Sequence, residues 1–562
     1  MSTENLNPTP SSPQDKEWEA TMLSFAENTE TGVTPAKTRK KLPIRRRTLT
    51  VILSSVGTVL LAVVLLVCML TIPTAPTDTP DDSTNPSSPI STKPAIPLLN
   101  NAANPDNNVA GIQMQRVDIQ NTNESFSVML DSAKNAYVIE GYEDLTLSAD
   151  MVITLRKHTE TIEAAEQVED EKASDLSSFG LDKPQATAVI TYADGSTSRL
   201  RIGDMTPSET GFYGQFGDSD NVYIFASDSV AMFRFRAAAF ISNVLIATPS
   251  VKSTDTNGVA LLRDITFSGN AHPVPLTLRR SNHQDPEVFT YFTYLISAPY
   301  MRGTKDTTSN ELGAFKGLKA QQALFLHPTA DQKDKLGFND PLIKISATMA
   351  VETEEDNNSD DSDASAPKVY YNSATYNLVV GSVNEEGNYI VMVDGIDAIY
   401  LVSKDEYGYL FDLNYRSAVN DFLFFNSITD ISRIGFRMNG KTYEFHLSHH
   451  PEREEQDLQL TVKSGDKIYP TADFRKLYEL MLGLARYGEP DEEPDGNVPL
   501  ELYLYDNDGN LYLDAKYYES TGSLCIVETS EGEVFTTRWS DVSFFIQQVE
   551  NYVNGRDVLT NT

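Results

Sequence analysis

Three histidines stand close together late in the chain, His446, His449 and His450, and Glu452, Glu454 and Glu455 follow beyond Pro451. Imidazole and carboxylate are zinc ligands, and a site needs three or four of them converging at about 2.0–2.3 Å. His446 falls at a strand end and the pair in a turn, where neighbouring side chains point apart. The reading is a solvated hairpin loop. A second cluster, Glu352-Thr353-Glu354-Glu355-Asp356-Asn357-Asn358-Ser359-Asp360-Asp361-Ser362-Asp363, carries carboxylates that hold calcium in other settings. It lacks the central Gly and closing Glu of an EF-hand, so residues 351–366 are read as an acidic loop between two strands. Asp506-Asn507-Asp508-Gly509-Asn510 also begins like a calcium loop, but Tyr517 stands where its closing Glu belongs, and a tight turn between strands explains it. Gly203-Asp204 reads as a strand-end turn, not a phosphate cradle. There is no Walker loop, GxSxG elbow or HExxH helix. Tyr291, Phe292, Tyr294 and Tyr300 form an aromatic stretch that serves either packing or a partner or glycan surface. The expectation is a non-enzymatic protein with no catalytic, cofactor-binding or metal-ligating residue and no cofactor.

The elements that carry these residues are short alternating strands punctuated by turns. Ala186–Tyr192, the Asp194-Gly195 hairpin, Ser198–Ile202, Phe212–Phe216 and Val222–Phe225 form one run, and Ser227-Asp228 caps a helix after it. A second run comprises Leu342–Val351, Thr375–Val380, Asn388–Val393 and Ile399–Val402, with Ser403 or Asp405 as cap. A third comprises Pro499–Tyr505, Leu511–Tyr517, Leu524–Glu528 and Val534–Thr537, with a helix from Ser540-Asp541 whose Val542, Phe545, Ile546, Val549 and Tyr552 share one face. Two of the intervening segments also correspond: Val117–Leu130 with a helix from Ser148, and Ile431–Leu447 with an Asn439-Gly440 hairpin and a helix from Thr471. Sequential hairpins favour antiparallel sheets. The fold class expected is α+β: a single N-terminal transmembrane helix followed by three tandem modules of antiparallel strands plus amphipathic helices, at 113–240, 241–420 and 421–562.

Leu49–Ile72 contains no charged residue, and 15 of its 24 residues are Leu, Val or Ile. At about 1.5 Å per residue a helix of that length spans a hydrocarbon core of roughly 30 Å. Lys37, Arg39, Lys40, Lys41, Arg45, Arg46 and Arg47 precede it, and the next positive residue is Lys93, so the positive-inside rule sets the N-terminus in the cytoplasm and the remainder outside a cell membrane. Residues 1–47 read as a disordered tail, with Trp18, Met22 and Phe25 on one face of a short island, and 73–112 as a Pro/Thr-rich spacer. Residues 73–562 hold 37 Lys or Arg against 74 Asp or Glu, a net −37 that repels nucleic acid. Cys68 falls in the apolar run and Cys525 in the acidic part, so no intramolecular disulfide is expected.

Phe179-Gly180-Leu181-Asp182-Lys183-Pro184 and the strands after it resemble the bacterial domain-of-unknown-function family numbered 4340, over about residues 113–240. Leu336-Gly337-Phe338-Asn339-Asp340-Pro341 looks like a repeat of the same opener. The resemblance implies a membrane-anchored outer protein whose relatives accompany ABC transporter components of the gliding-motility type, with a permease or ATPase as the implied partner. It carries over no catalytic residues. The expected role is an accessory subunit of a transporter or envelope complex; a ligand-binding receptor or enzyme with a site between modules is the alternative.

Overall fold

The computed structural model of the protein describes residues 94–103, 111–169, 175–253, 258–282, 285–354, 368–455, 458–520 and 522–560. They lie within one compact unit, 92–562. Period-two alternation generates its strands: Ala186, Ala188, Ile190 and Tyr192 face inward from one, and Leu500, Leu502 and Leu504 from another. Each buried Ile or Leu among them contributes about 1.5–3 kcal/mol by leaving water.

The described residues form three large antiparallel sheets and a small pair, Ile96–Asn100 with Thr161–Ala164. The first sheet runs in space Ala136–Ile139, Ser125–Asp131, Met114–Asn121, Ala186–Tyr192, Thr197–Met205, Gly211–Phe216, Tyr223–Ala226, Glu166–Gln167. The second runs Arg302–Gly303, Tyr294–Ala298, His272–Arg280, Val259–Gly269, Ile343–Glu354, Lys368–Val383, Tyr389–Val393, Ile396–Val402, Gln322–Leu326. The third runs Lys467–Tyr469, Leu460–Ser464, Lys441–His449, Ile431–Met438, Leu500–Asp506, Leu511–Glu519, Leu524–Thr529, Val534–Arg538. All three share one plan. A meander is laid down, the chain leaves through a helix, touches the far edge, and returns beside the meander's first strand to build four more strands. The far-edge touch is Glu166–Gln167, then Gln322–Leu326, then the lone bridge from Gly488 to Thr536.

The openers have a steric basis. Gly180 has φ +67°, and a Cβ on Gly203 would lie 2.1 Å from the Phe179 carbonyl oxygen. In the second sheet Gly337 has φ +86°, and a Cβ on Gly381 would lie 2.3 Å from the Leu336 carbonyl oxygen. Each opener thus presses its backbone against a glycine at the end of a strand, a contact no side chain fits.

The α+β expectation is corrected. Strand accounts for 43% of the structure and helix for 20%, in four sheets. Ser227 and Asp228 start only the four-residue helix Ser227–Val230, followed by 3-10 turns at Ala231–Arg234 and Ala237–Phe240. That stretch buries Val230, Phe233, Ala237 and Phe240 at a helical spacing, but Phe235 and Arg236 between the two turns take extended backbone and break the helix. Strands Ile343–Glu354 and Lys368–Val383 meanwhile reach 12 and 16 residues. Among the described residues no helix is long and apolar enough to cross a membrane, so the structure does not support the transmembrane helix. The span expected at 49–72 and the tail before it lie outside the described residues, as does the spacer 73–112 up to residue 93; within that spacer Ile96–Asn100 is a strand paired with Thr161–Ala164, so the linker reading is corrected there.

One apolar core runs through the first and second sheets, joining Val117, Ile190 and Phe240 to Ile265, Phe267, Ile345 and Val391. The third sheet has its own, built by Ile434, Phe436, Phe445 and Leu502 under two helices, Thr471–Leu482 and Trp539–Val553. Phe445 lies 5.6 Å from Phe474 and 5.5 Å from Tyr552 between ring centroids, and Phe436 lies 5.4 Å from Phe545.

Candidate functional site at the junction of the second and third sheets

Where the core of the first two sheets ends and that of the third begins, four side chains distant in sequence meet. Glu533 sits at the hairpin between Leu524–Thr529 and Val534–Arg538, with Gly532 at φ +86° completing the turn. Arg486 lies on the segment that reaches the third sheet's far edge, Arg302 on the edge strand of the second sheet, and Tyr415 on the short helix Tyr415–Ala418, capped by Asn414. Glu533 Oε1 accepts from Arg486 Nε at 2.8 Å and from the Tyr415 hydroxyl at 2.7 Å. Its Oε2 accepts from Arg486 Nη2 at 3.0 Å and Arg302 Nε at 2.9 Å. Arg486 Nη1 donates to the Asn420 and Phe422 carbonyls. Arg486 and Glu533 are 1% and 2% exposed by side chain, the only guanidinium and carboxylate so deeply buried among the described residues.

Burial alone would push the Glu533 carboxyl upward. The charge and hydrogen bonds of Arg486, the charge of Arg302 and the Tyr415 hydroxyl outweigh it and hold the group below the usual carboxylate range. Tyr415 moves the other way, raised by burial and by the neighbouring carboxylate. With both oxygens of Glu533 taken and its proton disfavoured, the cluster is not placed to exchange protons at neutral pH. It fastens the two sheets, with help from Tyr300, whose hydroxyl donates to the Gly532 carbonyl at 2.8 Å, and from Lys305 paired with Asp421 at 3.0 Å.

Beside this clasp is a cavity of about 140 Å³ lined by Phe289, Phe292, Arg302, Phe422, Phe425, Tyr512 and Glu531, among others. Phe425 lies 5.1 Å from Phe292, 6.1 Å from Phe422 and 6.3 Å from Tyr291 between centroids. Glu531, 48% exposed, reaches Arg302 Nη2 at 2.7 Å.

The aromatic stretch therefore divides. Tyr291 and Phe292 belong to the cavity's aromatic cluster, Tyr300 to the clasp, and Tyr294 to the core, its hydroxyl donating to the Leu262 carbonyl at 2.7 Å. The histidines are not brought together. His446 pairs with Glu444 at 3.0 Å, His449 contacts the Ile431 carbonyl at 2.9 Å, and His450 lies 3.7 Å from Glu452. Among the described residues no group of three or more His, Cys, Asp or Glu is arranged to hold a metal. Of the acidic loop, Glu352 lies 3.5 Å from Arg280 and accepts from the Tyr370 hydroxyl at 3.0 Å; residues 355–367 lie outside the described residues. Asp506 accepts from the Asn510 backbone at 2.8 Å and side chain at 3.1 Å, closing a hairpin turn. Cys525 is buried, and Cys68, Trp18, Met22 and Phe25 lie outside the described residues.

Residues 138–341 match the family described as domain of unknown function, DUF4340. The match opens in the last strand of the first meander and ends on the second opener, Leu336–Pro341. It thus reaches well beyond the 113–240 suggested by the motif residues and starts later. No curated protein and no solved structure matches the chain.

Proposed function

We propose that the protein is a non-enzymatic extracytoplasmic accessory subunit that assembles with a transporter or envelope complex. The observation that carries this reading is the clasp: the most deeply buried carboxylate and guanidinium are spent on fastening one sheet unit to the next, with no acceptor of Glu533 left for a substrate. The net −37 over residues 73–562 supports a soluble surface that meets basic partners and avoids nucleic acid. The family resemblance points to ABC transporter permease and ATPase components as the partners, and to the outer side of a cell membrane as the location. The test is affinity capture of the full-length protein from mild detergent. Co-purification of a permease or ATPase is the expected result; repeated recovery of the protein alone refutes the reading.

The alternative, a ligand-binding receptor, draws on the aromatic cavity at the junction. It predicts saturable binding there without turnover.

A further inference from the structure

We propose that the junction cavity binds a small carboxylate carrying an aromatic or branched apolar body, and that Arg302 receives this carboxylate in place of Glu531. The inference rests on the junction geometry and stands whether or not the protein assembles with a transporter.

Charge balance supplies the first argument. Two guanidiniums, Arg302 and Arg486, converge on one buried carboxylate, Glu533. Arg486 makes four hydrogen bonds, two to Glu533 and one to each of two carbonyls. Arg302 donates through Nε to Glu533 and through Nη1 to the Met301 carbonyl, while its buried Nη2 lies 2.7 Å from Glu531 and 2.9 Å from Glu533 as ion-pair contacts without good hydrogen-bond geometry. The second negative charge comes from Glu531, an ion-pair contact at 2.7 Å from a side chain about half in water, on a hairpin turn. Withdrawing Glu531 into solvent leaves one uncompensated positive charge at the cavity floor. A ligand carboxylate replaces it with no net change in charge and can meet Nη2 in the planar geometry that guanidinium favours. A cationic ligand would have to draw Glu531 off Arg302 and would add a further positive charge beside it.

Shape supplies the second argument. Phe289, Phe292, Phe422, Phe425 and Tyr512 wall the cavity, and its volume of about 140 Å³ suits one aromatic ring or branched aliphatic group. Phe422 and Phe425 are 45% and 42% exposed, so the mouth opens to solvent through apolar surface that gains by being covered.

The test is calorimetric titration of the full-length protein in detergent with phenylacetate, phenylacetamide and benzylamine. Phenylacetate is expected to bind, and the amide to bind about tenfold more weakly or less because it lacks the charge-assisted contact. Glu531→Gln removes the competitor and is expected to tighten phenylacetate by about twofold to fivefold. Phe425→Ala, at an exposed position, is expected to weaken it about tenfold with the thermal transition unchanged. A peptide ending in Phe with a free carboxylate, run against the same peptide amidated, separates the two sources of this chemistry. Tighter binding of the free-ended peptide than of phenylacetate assigns a chain terminus; weaker binding assigns a free acid. Equal affinity for acid, amide and amine overturns the proposal. So does an unchanged or weakened affinity in Glu531→Gln, or no binding of phenylacetate to either protein at millimolar concentration.

Discussion

Glu533→Gln probes what holds the third sheet to the second. The substitution keeps the shape and removes the charge. In the native structure two oxygens accept four hydrogen bonds, from Arg486 Nε and Nη2, Arg302 Nε and the Tyr415 hydroxyl, at 2.7–3.0 Å. In the amide one oxygen becomes an NH2 that faces guanidinium donors, so at least one of these contacts turns repulsive. Arg486 and Arg302 are then left with only Glu531, which touches Arg302 alone. Removing one partner of a buried ion pair costs about 3–5 kcal/mol. For a unit the size of the third sheet and its helices, 1 kcal/mol moves a melting temperature by about 3–5 °C, so a fall of about 9–25 °C is expected. Trp539 opens the helix Trp539–Val553 and packs against the third core, so its fluorescence reports that unit. The chain's other Trp, Trp18, is changed to Phe to isolate the signal. A companion variant, Arg486→Met with Glu533→Leu, removes attraction and desolvation cost together and is expected to lose far less than the sum of the single changes. A shift below about 3 °C for Glu533→Gln, or a double variant as damaged as that sum, would refute the account of the clasp.

Three further outcomes follow from the same structure. Because the Arg486 and Arg302 charges hold the Glu533 carboxyl below its unfolded value despite burial, its stabilisation is complete above the unfolded pKa and is lost as pH falls through the folded one; the Trp539 transition should be level from about pH 7 to pH 5 and drop below about pH 4. Gly203→Ala and Gly381→Ala place a methyl 2.1 Å and 2.3 Å from fixed carbonyl oxygens and should each cost about 2–4 kcal/mol by denaturant titration, whereas Gly195→Ala, at φ +82° with nothing within 4 Å, should cost about 1 kcal/mol. Cys525, fully buried with its thiol pushed up to about 12 by burial, should resist iodoacetamide in the folded Cys68→Ser protein at about pH 8 and react once unfolded; labelling of the native protein would contradict the burial.

Local chemistry was readable along the chain and long-range chemistry was not. Asp194-Gly195, Asp394-Gly395 and Asn439-Gly440 announce hairpins, and their glycines take φ +82°, +83° and +69°. Ser148 and Ser403 accept from the Met151 and Glu406 amides as helix caps should, but Thr471 does not cap: Pro470 holds that place and the Thr471 hydroxyl donates to the Leu460 carbonyl. The helix expected after Ser227 is broken into short turns by extended backbone at Phe235 and Arg236, although Val230, Phe233, Ala237 and Phe240 keep the helical spacing that suggested it. The clasp had no local signature at all. Arg302, Tyr415, Arg486 and Glu533 are spread over more than two hundred residues, and each is unremarkable among its neighbours. The far-edge contacts at Glu166–Gln167 and Gly488 are too short for any alternation to reveal.

The position of the family match gives the clasp its significance. Residues 138–341 cut through the core common to the first and second sheets, so the matched stretch cannot bury its apolar faces without strands on either side of it. The third sheet does not share that core; its apolar residues close on themselves beneath Thr471–Leu482 and Trp539–Val553. A unit that is self-sufficient in apolar burial needs another device to fix its orientation, and directional hydrogen bonds between charges provide one where apolar contact alone would slide. The clasp takes Arg302 from within the matched residues and Tyr415, Arg486 and Glu533 from beyond them. It therefore joins the matched residues to residues beyond the match. The cavity is built from both sides of the same seam: Phe289, Phe292 and Arg302 lie inside the match, and Phe422, Phe425, Tyr512 and Glu531 outside it. A ligand held there would contact both units at once, and its binding free energy would add to that of the clasp. The Trp539 transition should then rise with ligand concentration in the native protein, and it should rise from a lower starting point in Glu533→Gln.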